Sequence, residues 1–134
     1  MRNFEKMTNQ DLGLLLVRIA LALVFIIHGY GKLTGLAGVE TFFGNLGIPA
    51  FFVYIVTFVE FFGGFAMLLG IFTRIFGFLL AINMFFAIYL VKFSQGFSGG
   101  YELELTLLLA SLAIALAGPG KYSIMGGKVM GKEM

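Results

Sequence analysis

The chain has 134 residues, of which 60% are hydrophobic and 12% are charged, with a formal net charge of +2 and a mean hydropathy of +0.99. A soluble domain averages about 25% charged residues because its surface faces water, so this composition excludes an ordinary globular protein and favours one solvated by lipid. The sequence has no cysteine, which excludes disulfides, thiolate chemistry and cysteine-ligated metals, and the small net charge gives no indication of nucleic-acid binding.

Four apolar runs follow one another along the chain, at residues 12–30, 50–72, 75–91 and 101–117. Each is about 17 to 23 residues long, which matches a hydrocarbon core of about 30 Å at a rise of 1.5 Å per residue. The first run exceeds the roughly 7 to 15 apolar residues of a signal peptide, and three similar runs follow it. The sequence therefore predicts an all-α fold, a single four-helix transmembrane domain over residues 1–134.

The segments between the runs are polar or rich in glycine. Residues 31–49 are predicted to form a loop that could include a short amphipathic piece, and Thr73-Arg74 to make a tight turn. Residues 92–100 are predicted to form a second loop, and Gly118-Pro119-Gly120 to end the last helix.

The distribution of lysine and arginine predicts the orientation of the bundle. With four spans, the N-terminus, the second loop and the C-terminus share one side of the membrane. That side carries six basic residues, Arg2, Lys6, Arg74, Lys121, Lys128 and Lys132, and the other side carries Lys32 and Lys92. Because positive loops stay inside, both termini are predicted to be cytoplasmic.

Two charged residues lie well inside the predicted spans, Arg18 in the first and Glu60 in the second. A charge at the centre of a spanning helix costs about 2.5–3.5 kcal/mol on insertion scales, so each needs a partner. Helix rises put the two at heights that differ by about 6 Å, which long side chains can bridge. We therefore expect a buried Arg18–Glu60 ion pair.

A second group of polar residues lies near the opposite, outer end of the bundle. His28, Lys32 and Tyr101 could line a cavity there with either Glu102 or Glu104, which point about 200° apart and cannot both face it. A histidine beside carboxylates suits a proton relay or contact with a quinone head group, whereas the alternative is a neutral, hydrogen-bonded histidine at the interface. No ligand spacing predicts a metal site.

Several short motifs occur in a fixed order along nearly the whole chain. They are Arg18, His28-Gly29-Tyr30-Gly31-Lys32-Leu33, Leu46-Gly47-Ile48-Pro49, Glu60-Phe61-Phe62-Gly63-Gly64, Leu69-Gly70-Ile71-Phe72-Thr73-Arg74, Gly99-Gly100-Tyr101-Glu102 and Gly118-Pro119-Gly120-Lys121-Tyr122-Ser123. Together they resemble the DoxX family of small four-helix membrane proteins of bacteria and archaea, which includes DoxD-like members. The resemblance marks Arg18, His28, Lys32, Glu60, Arg74 and Glu102 as family-pattern polar positions, whereas Glu104 departs from the pattern. The candidates for binding a substrate or quinone are therefore His28, Lys32, Tyr101 and Glu102.

The resemblance implies a plasma (inner) membrane protein linked to quinones. It implies a membrane subunit of a quinone-linked oxidoreductase, or a component of quinone or oxidative-stress resistance, with a soluble redox partner and a quinone as the bound molecule. A homo-oligomer is compatible with this reading. The alternatives are a non-enzymatic scaffold, carrier or assembly factor, and an ion pathway. The sequence assigns no catalytic residue and leaves open whether the protein is an enzyme.

Overall fold

The computed structural model describes residues 9–125 and, as backbone only, residues 128–129 and 132–133. Its helices are α1 (Gln10–Thr34), α2 (Leu36–Asn45), α3 (Phe51–Leu69), α4 (Thr73–Ala87) and α5 (Glu102–Ala117), and its two short strands are β1 (Lys128–Val129) and β2 (Lys132–Glu133), which pair antiparallel. Helix α4 continues into a π-helical turn at Ile88–Lys92 and a 3-10 turn at Phe93–Gln95. An irregular turn at Phe97–Tyr101 then leads into α5.

Within the part of the chain that the structure describes, four helical segments are long and apolar enough to cross a membrane, Gln10–Thr34, Phe51–Leu69, Thr73–Gln95 and Phe97–Ala117. This confirms the predicted all-α bundle with four spans. The second span ends three residues earlier than predicted, because Gly70 takes the left-handed conformation that closes α3. Phe72 also has a positive φ of 49°, so the chain reverses within three residues and α4 begins at Thr73.

The segment predicted as the first loop is mostly helical. Helix α1 extends to Thr34, and its amino end is capped by the Asn9 side chain, which accepts the Leu12 N–H at 3.0 Å. Helix α2 then occupies Leu36–Asn45 with none of its residues buried. It is therefore a peripheral helix beside the outer end of the bundle.

Small residues let the helices approach closely. A Cβ added at Gly29 of α1 would lie 2.6 Å from the backbone nitrogen of Phe61 in α3. A Cβ at Gly77 of α4 would lie 2.7 Å from the carbonyl oxygen of Ser111 in α5. Helices α1 and α3 thus pack backbone to backbone, as do α4 and α5, in the manner usual for small residues at membrane helix contacts.

The interior and the outside of the bundle are both apolar. The shared core consists of Leu21, Ala22, Phe25, Met67, Leu80, Met84, Leu107 and Ile114. Large hydrophobic side chains also cover the outer faces of all four spanning helices. Since water does not solvate such a surface, the outward faces fit a lipid environment.

Hydrogen bonds at one end of the bundle fix the relative direction of the helices. Asp11 at the start of α1 accepts the Lys121 N–H at 3.0 Å, and Ile124 N–H donates to the Leu69 carbonyl at 2.9 Å. The start of α1 and the ends of α3 and α5 therefore lie together at what we name the inner end, and the opposite end is the outer end. A cytoplasmic inner end remains a prediction, and two residues counted for it, Arg2 and Lys6, lie outside the described residues, as do the side chains of Lys128 and Lys132.

Candidate functional site

A cavity of about 830 Å³ lies in the outer half of the bundle. Its walls come from α3 and α4, with contributions from α2, from the segment that follows α2, and from α1 and α5. Helices α3 and α4 touch near the middle of the bundle, where a Cβ added at Gly63 would lie 3.1 Å from Leu80. The two helices leave the cavity between their outer halves.

Most of the cavity wall is apolar. The apolar side chains are Phe42, Phe43, Leu46, Ile48, Pro49, Phe52, Ile55, Val56, Val59, Leu79, Ile82, Met84, Phe86, Ala87, Leu90, Val91 and Leu107. Several of them, including Ile55 on α3 and Ile82 on α4, are about half exposed, at 48% and 50%. The cavity is therefore accessible from the side, through the face that a bilayer would cover.

A charged pair and an amide lie at the cavity. Lys32 Nζ of α1 donates to Glu60 Oε1 of α3 at 2.7 Å, and Asn83 Nδ2 of α4 donates to Glu60 Oε2 at 2.6 Å. Both carboxylate oxygens of Glu60 thus have a donor, and the residue is only 3% exposed. One carboxylate ties three helices together and keeps a charged group in contact with the cavity.

The predicted Arg18–Glu60 ion pair is wrong, although both residues are buried. Side chains lean toward the amino end of their own helix. Because α1 and α3 run in opposite directions, Arg18 reaches toward the inner end and Glu60 toward the outer end, so the two diverge. Lys32 lies nearer the outer end of α1 than Arg18. By the same rule its side chain leans toward the inner end, where it meets the outward-leaning side chain of Glu60.

Arg18 instead binds backbone carbonyls at the inner end. Its guanidinium donates to the carbonyl oxygens of Met67 at 2.8 Å, Leu68 at 3.2 Å, Pro119 at 3.1 Å and Tyr122 at 2.8 Å. The last carbonyls of a helix have no partner within the helix, and a planar group with five N–H donors can satisfy several of them. Arg18 therefore anchors the end of α3 and the chain after α5 to α1, far from the cavity.

Arg74 acts in a similar way on the other helix pair. Its Nη1 donates to the carbonyl oxygens of Ala115 at 3.3 Å and Leu116 at 3.0 Å, in the last turn of α5. Arg18 in the first span and Arg74 in the third thus stabilise helix ends at the inner end of the bundle. They are distinct from the polar residues that line the cavity.

Of the four predicted cavity residues, the structure brings two together. His28 and Lys32 lie one turn apart on α1, and both line the cavity. Tyr101 does not line it; its ring stacks on Phe93 with centroids 5.9 Å apart. Glu102 is exposed and its Oε1 accepts the Gly99 N–H at 3.1 Å, so it stabilises the turn before α5 instead.

The choice between the two glutamates is settled in favour of Glu104. It is half-buried, lines the cavity, and has a fully buried Oε1 with no hydrogen-bond partner among the described residues. Glu102 takes the exposed position because the helix turns by about 200° between the two residues. The predicted site therefore changes from Tyr101 and Glu102 to Glu104.

Further polar residues at the cavity were missed. Asn83, Lys92 and Gln95 all line it. Asn83 could have been found, since it is the lone strongly polar side chain of the third predicted span and such residues usually face a partner. Lys92 and Gln95 had been placed in a loop, whereas α4 continues through them as further helical turns. Over residues 9–125, no group of three His, Asp or Glu side chains is arranged to hold a metal ion.

The fold and the cavity define a class, a multi-pass membrane protein whose four-helix bundle encloses a side-opening apolar cavity with a charged pair. The family profile described as DoxX matches residues 13–93. The chain belongs to the DoxX family. The match contains His28, Lys32, Glu60 and Asn83, whereas Glu104 lies beyond it.

Two curated relatives are similar over most of their length. The Bacillus subtilis (strain 168) protein named "Putative oxidoreductase CatD" is 38% identical over 108 residues, which cover 81% of this chain and 81% of that protein. The Escherichia coli (strain K12) protein named "Inner membrane protein YqjF" is 35% identical over 120 residues, which cover 86% of this chain and 91% of that protein. No solved structure matches this chain significantly.

Proposed function

We propose that this protein binds a quinone-like amphiphile in its cavity, as the membrane component of a quinone-linked redox or quinone-resistance system in a bacterial or archaeal plasma membrane. The observation that carries the proposal is the cavity itself: a side-opening, apolar space of about 830 Å³ that meets the Lys32–Glu60 pair. Ligand cavities of about 300–1,000 Å³ with mainly apolar walls and few polar groups are typical of small-molecule sites.

The wall of the cavity suits a lipid-soluble ligand. Apolar side chains of α3 and α4 surround the space, and some are half exposed on the face that lipid would cover. A ligand dissolved in the bilayer could enter from the side and keep its apolar tail among the acyl chains. A water-soluble substrate would gain little binding free energy from such a wall. The wall has few hydrogen-bonding groups to replace the water that a polar substrate loses on binding.

The polar groups suit an oxygen-bearing ring. Lys32 Nζ has three N–H donors and gives one to Glu60, so it retains donors for a ligand oxygen. His28 is one turn away on the same helix, and its imidazole ring can donate or accept a hydrogen bond or pass on a proton. In this proposal Lys32 positions the head group, His28 exchanges protons with it, and Glu60 fixes the position of Lys32.

Electrons would come from outside this chain. The sequence has no cysteine for a thiol redox pair. A soluble redox partner would exchange electrons with the bound ring, and the name of the Bacillus subtilis relative, "Putative oxidoreductase CatD", is in keeping with redox chemistry. A homo-oligomer in the membrane is compatible with the same arrangement.

The second candidate is a scaffold or assembly factor without a ligand. It is favoured by the same ion pair, because Lys32–Glu60 joins α1 to α3 and Asn83 adds α4, so the charges could serve only to hold the helices in register. In that case, a substitution at a cavity residue outside the Lys32–Glu60–Asn83 group would change neither folding nor ligand binding.

A binding experiment separates the two candidates. Purified protein in lipid nanodiscs is titrated with a short-chain quinone, with empty nanodiscs as the background. The proposal expects His28→Ala and Glu60→Gln to weaken binding at least tenfold, while the control Lys121→Met, at an exposed lysine of the inner end, binds normally. If His28→Ala leaves binding unchanged and Glu60→Gln prevents folding, the scaffold is the better account.

A further inference from the structure

The connection between α1 and α3 forms an outer wall of the cavity. Helix α1 ends at the outer end of the bundle and α3 begins there, so α2 and residues 46–49, which connect them, lie at that end as well. Because of this position, the connection lies between the cavity and the water beyond the membrane. Its residues that line the cavity are Phe42, Phe43, Leu46, Gly47, Ile48 and Pro49.

This connection is weakly attached to the spanning helices. None of the residues of α2 is buried, and the backbone hydrogen bonds of residues 36–49 join only residues near them in the chain. Among the described residues, one hydrogen bond joins α2 to a spanning helix, from the Tyr54 hydroxyl of α3 to Glu40 Oε1 at 2.5 Å. Segments with few buried contacts are those that open locally with a small change in free energy.

Both ends of the connection are suited to a change of direction. A single residue, Gly35, separates α1 from α2, and α2 begins without a side-chain cap. At the other end Gly47 has a φ of +79°, and no described atom lies within 4 Å of where its Cβ would be. Since glycine adopts positive and negative φ with similar ease, the backbone at Gly47 can rotate freely in this open space.

We propose that α2 and residues 46–49 form a lid over the outer end of the cavity, which rotates about Gly35 and Gly47 and is held closed by the hydrogen bond from Tyr54 to Glu40. The closed lid separates the cavity from water, while the side of the cavity stays open to the bilayer. The open lid admits water. The lid goes beyond the proposed function, because it governs access by water whatever molecule occupies the cavity. For the ligand proposed above, it sets when the head group exchanges protons with water.

Labelling of one cysteine in the cavity measures the opening, since the chain has no native cysteine. The probe is Val56→Cys, at a half-buried cavity residue of α3. The reagent is the anionic sulfonatoethyl methanethiosulfonate, which does not enter the acyl chains and must therefore come from water. Nanodiscs present both ends of the bundle to water, so the orientation in the cell does not affect the result. Phe58→Cys, at an exposed position of α3 outside the cavity, reports any entry through lipid.

The hydrogen bond is tested by removing the hydroxyl of Tyr54. Tyr54→Phe should raise the labelling rate of Val56→Cys about two- to tenfold, the factor for one net hydrogen bond. Tyr30→Phe is the matched control, because Tyr30 is exposed and its hydroxyl has no partner among the described residues, and it should leave the rate unchanged.

The hinge is tested by a methyl group at Gly47. Gly47→Ala disfavours the left-handed backbone of the closed lid, so it should raise the labelling rate of Val56→Cys about five- to thirtyfold. Gly38→Ala is the matched control, since Gly38 lies in α2 with open space around it and without a positive φ. It should leave the rate unchanged.

Two results would overturn the lid. One is a labelling rate of Val56→Cys that neither Tyr54→Phe nor Gly47→Ala changes. The other is an equal rise at Phe58→Cys, which would mean that these variants loosen the whole bundle or that the reagent enters through lipid. The experiment uses no quinone, so its outcome does not depend on whether the proposed function holds.

Discussion

Lys32 of α1 and Glu60 of α3 form an ion pair at the cavity, with Nζ and Oε1 2.7 Å apart. The two partners differ in burial, since the side chain of Lys32 is 26% exposed and that of Glu60 is 4% exposed. Removing the lysine alone would leave the buried Glu60 carboxylate with only the Asn83 amide as a partner, whereas removing both charges would leave no buried charge. Because the two changes should differ in their effect on the free energy of unfolding, the strength of the ion pair can be measured.

Lys32→Met is expected to lower the free energy of unfolding by about 3–5 kcal/mol, because it strands the charge of Glu60. Adding Glu60→Gln to Lys32→Met should recover most of that loss. Equilibrium unfolding of both single variants and the double variant in mixed micelles provides the double-mutant cycle. Strictly additive effects would show that the two residues do not interact.

Arg18→Lys should be destabilising although it keeps the positive charge. An ammonium group cannot reach the four carbonyl oxygens that the guanidinium binds, so buried acceptors are left unpaired at a cost of about 2–4 kcal/mol. Arg74→Lys is the matched control, because Arg74 binds two carbonyls in a more exposed position, and it should cost about 1 kcal/mol or less. Equal losses of unfolding free energy would contradict this account of Arg18.

Two glycines of α1 should respond in opposite ways to alanine. At Gly29 the added Cβ would lie 2.6 Å from the backbone nitrogen of Phe61, so Gly29→Ala should separate α1 from α3 and cost about 1–3 kcal/mol. At Gly31 nothing lies within 4 Å, and Gly31→Ala should be neutral or stabilising by up to about 1 kcal/mol through helix propensity. Thermal unfolding of both variants tests the contact, and a destabilised Gly31→Ala would count against the packing described.

The outer helix α2 is held to α3 by a hydrogen bond from the Tyr54 hydroxyl to Glu40 Oε1. Because α2 buries none of its residues, we expect Tyr54→Phe to raise amide hydrogen exchange over residues 36–45 about two- to tenfold, the factor for one net hydrogen bond. Tyr30→Phe is the control, since Tyr30 is exposed and its hydroxyl has no partner among the described residues. Unchanged exchange in Tyr54→Phe would mean that other contacts hold α2.

The orientation predicted from the basic residues can be tested on a chain that has no native cysteine. In intact cells, a membrane-impermeant maleimide should label Ser98→Cys, between α4 and α5 at the outer end, and should not label Lys121→Cys at the inner end until the cells are permeabilised. Both positions are exposed in the bundle. The reverse labelling pattern would place the cavity toward the cytoplasm.

The four spans could be predicted from the sequence because lipid leaves few solutions for a backbone in a long apolar run. The ends were less predictable. The left-handed residues Gly70 and Phe72 close α3 early, and α4 continues through Lys92, which a count of polar residues assigns to a loop.

The candidate site was only partly predictable, and the errors have a common cause. The heights of the residues along the helix axes suggested Arg18 as the ion-pair partner of Glu60. The partner is Lys32 instead, because side chains lean toward the amino end of their own helix. Helical phase predicted that only one of Glu102 and Glu104 faces inward, without saying which, because that depends on how α5 is rotated against α4. Such rotations come from contacts like that of Gly77 with Ser111, which connect residues far apart in the chain.

The central claim is that a quinone-like ligand occupies the cavity between the outer halves of α3 and α4. Its most direct test is photolabelling of the protein in nanodiscs with a short-chain azidoquinone, followed by mass spectrometry of the labelled peptides. The account predicts that labels concentrate on cavity residues such as Phe52, Ile55 and Phe86, that excess unlabelled ligand competes them away, and that Val56→Trp, which fills the cavity, suppresses them. Labels spread evenly over the lipid-facing surface, including the inner half around Ile75, and insensitive to competitor would contradict it.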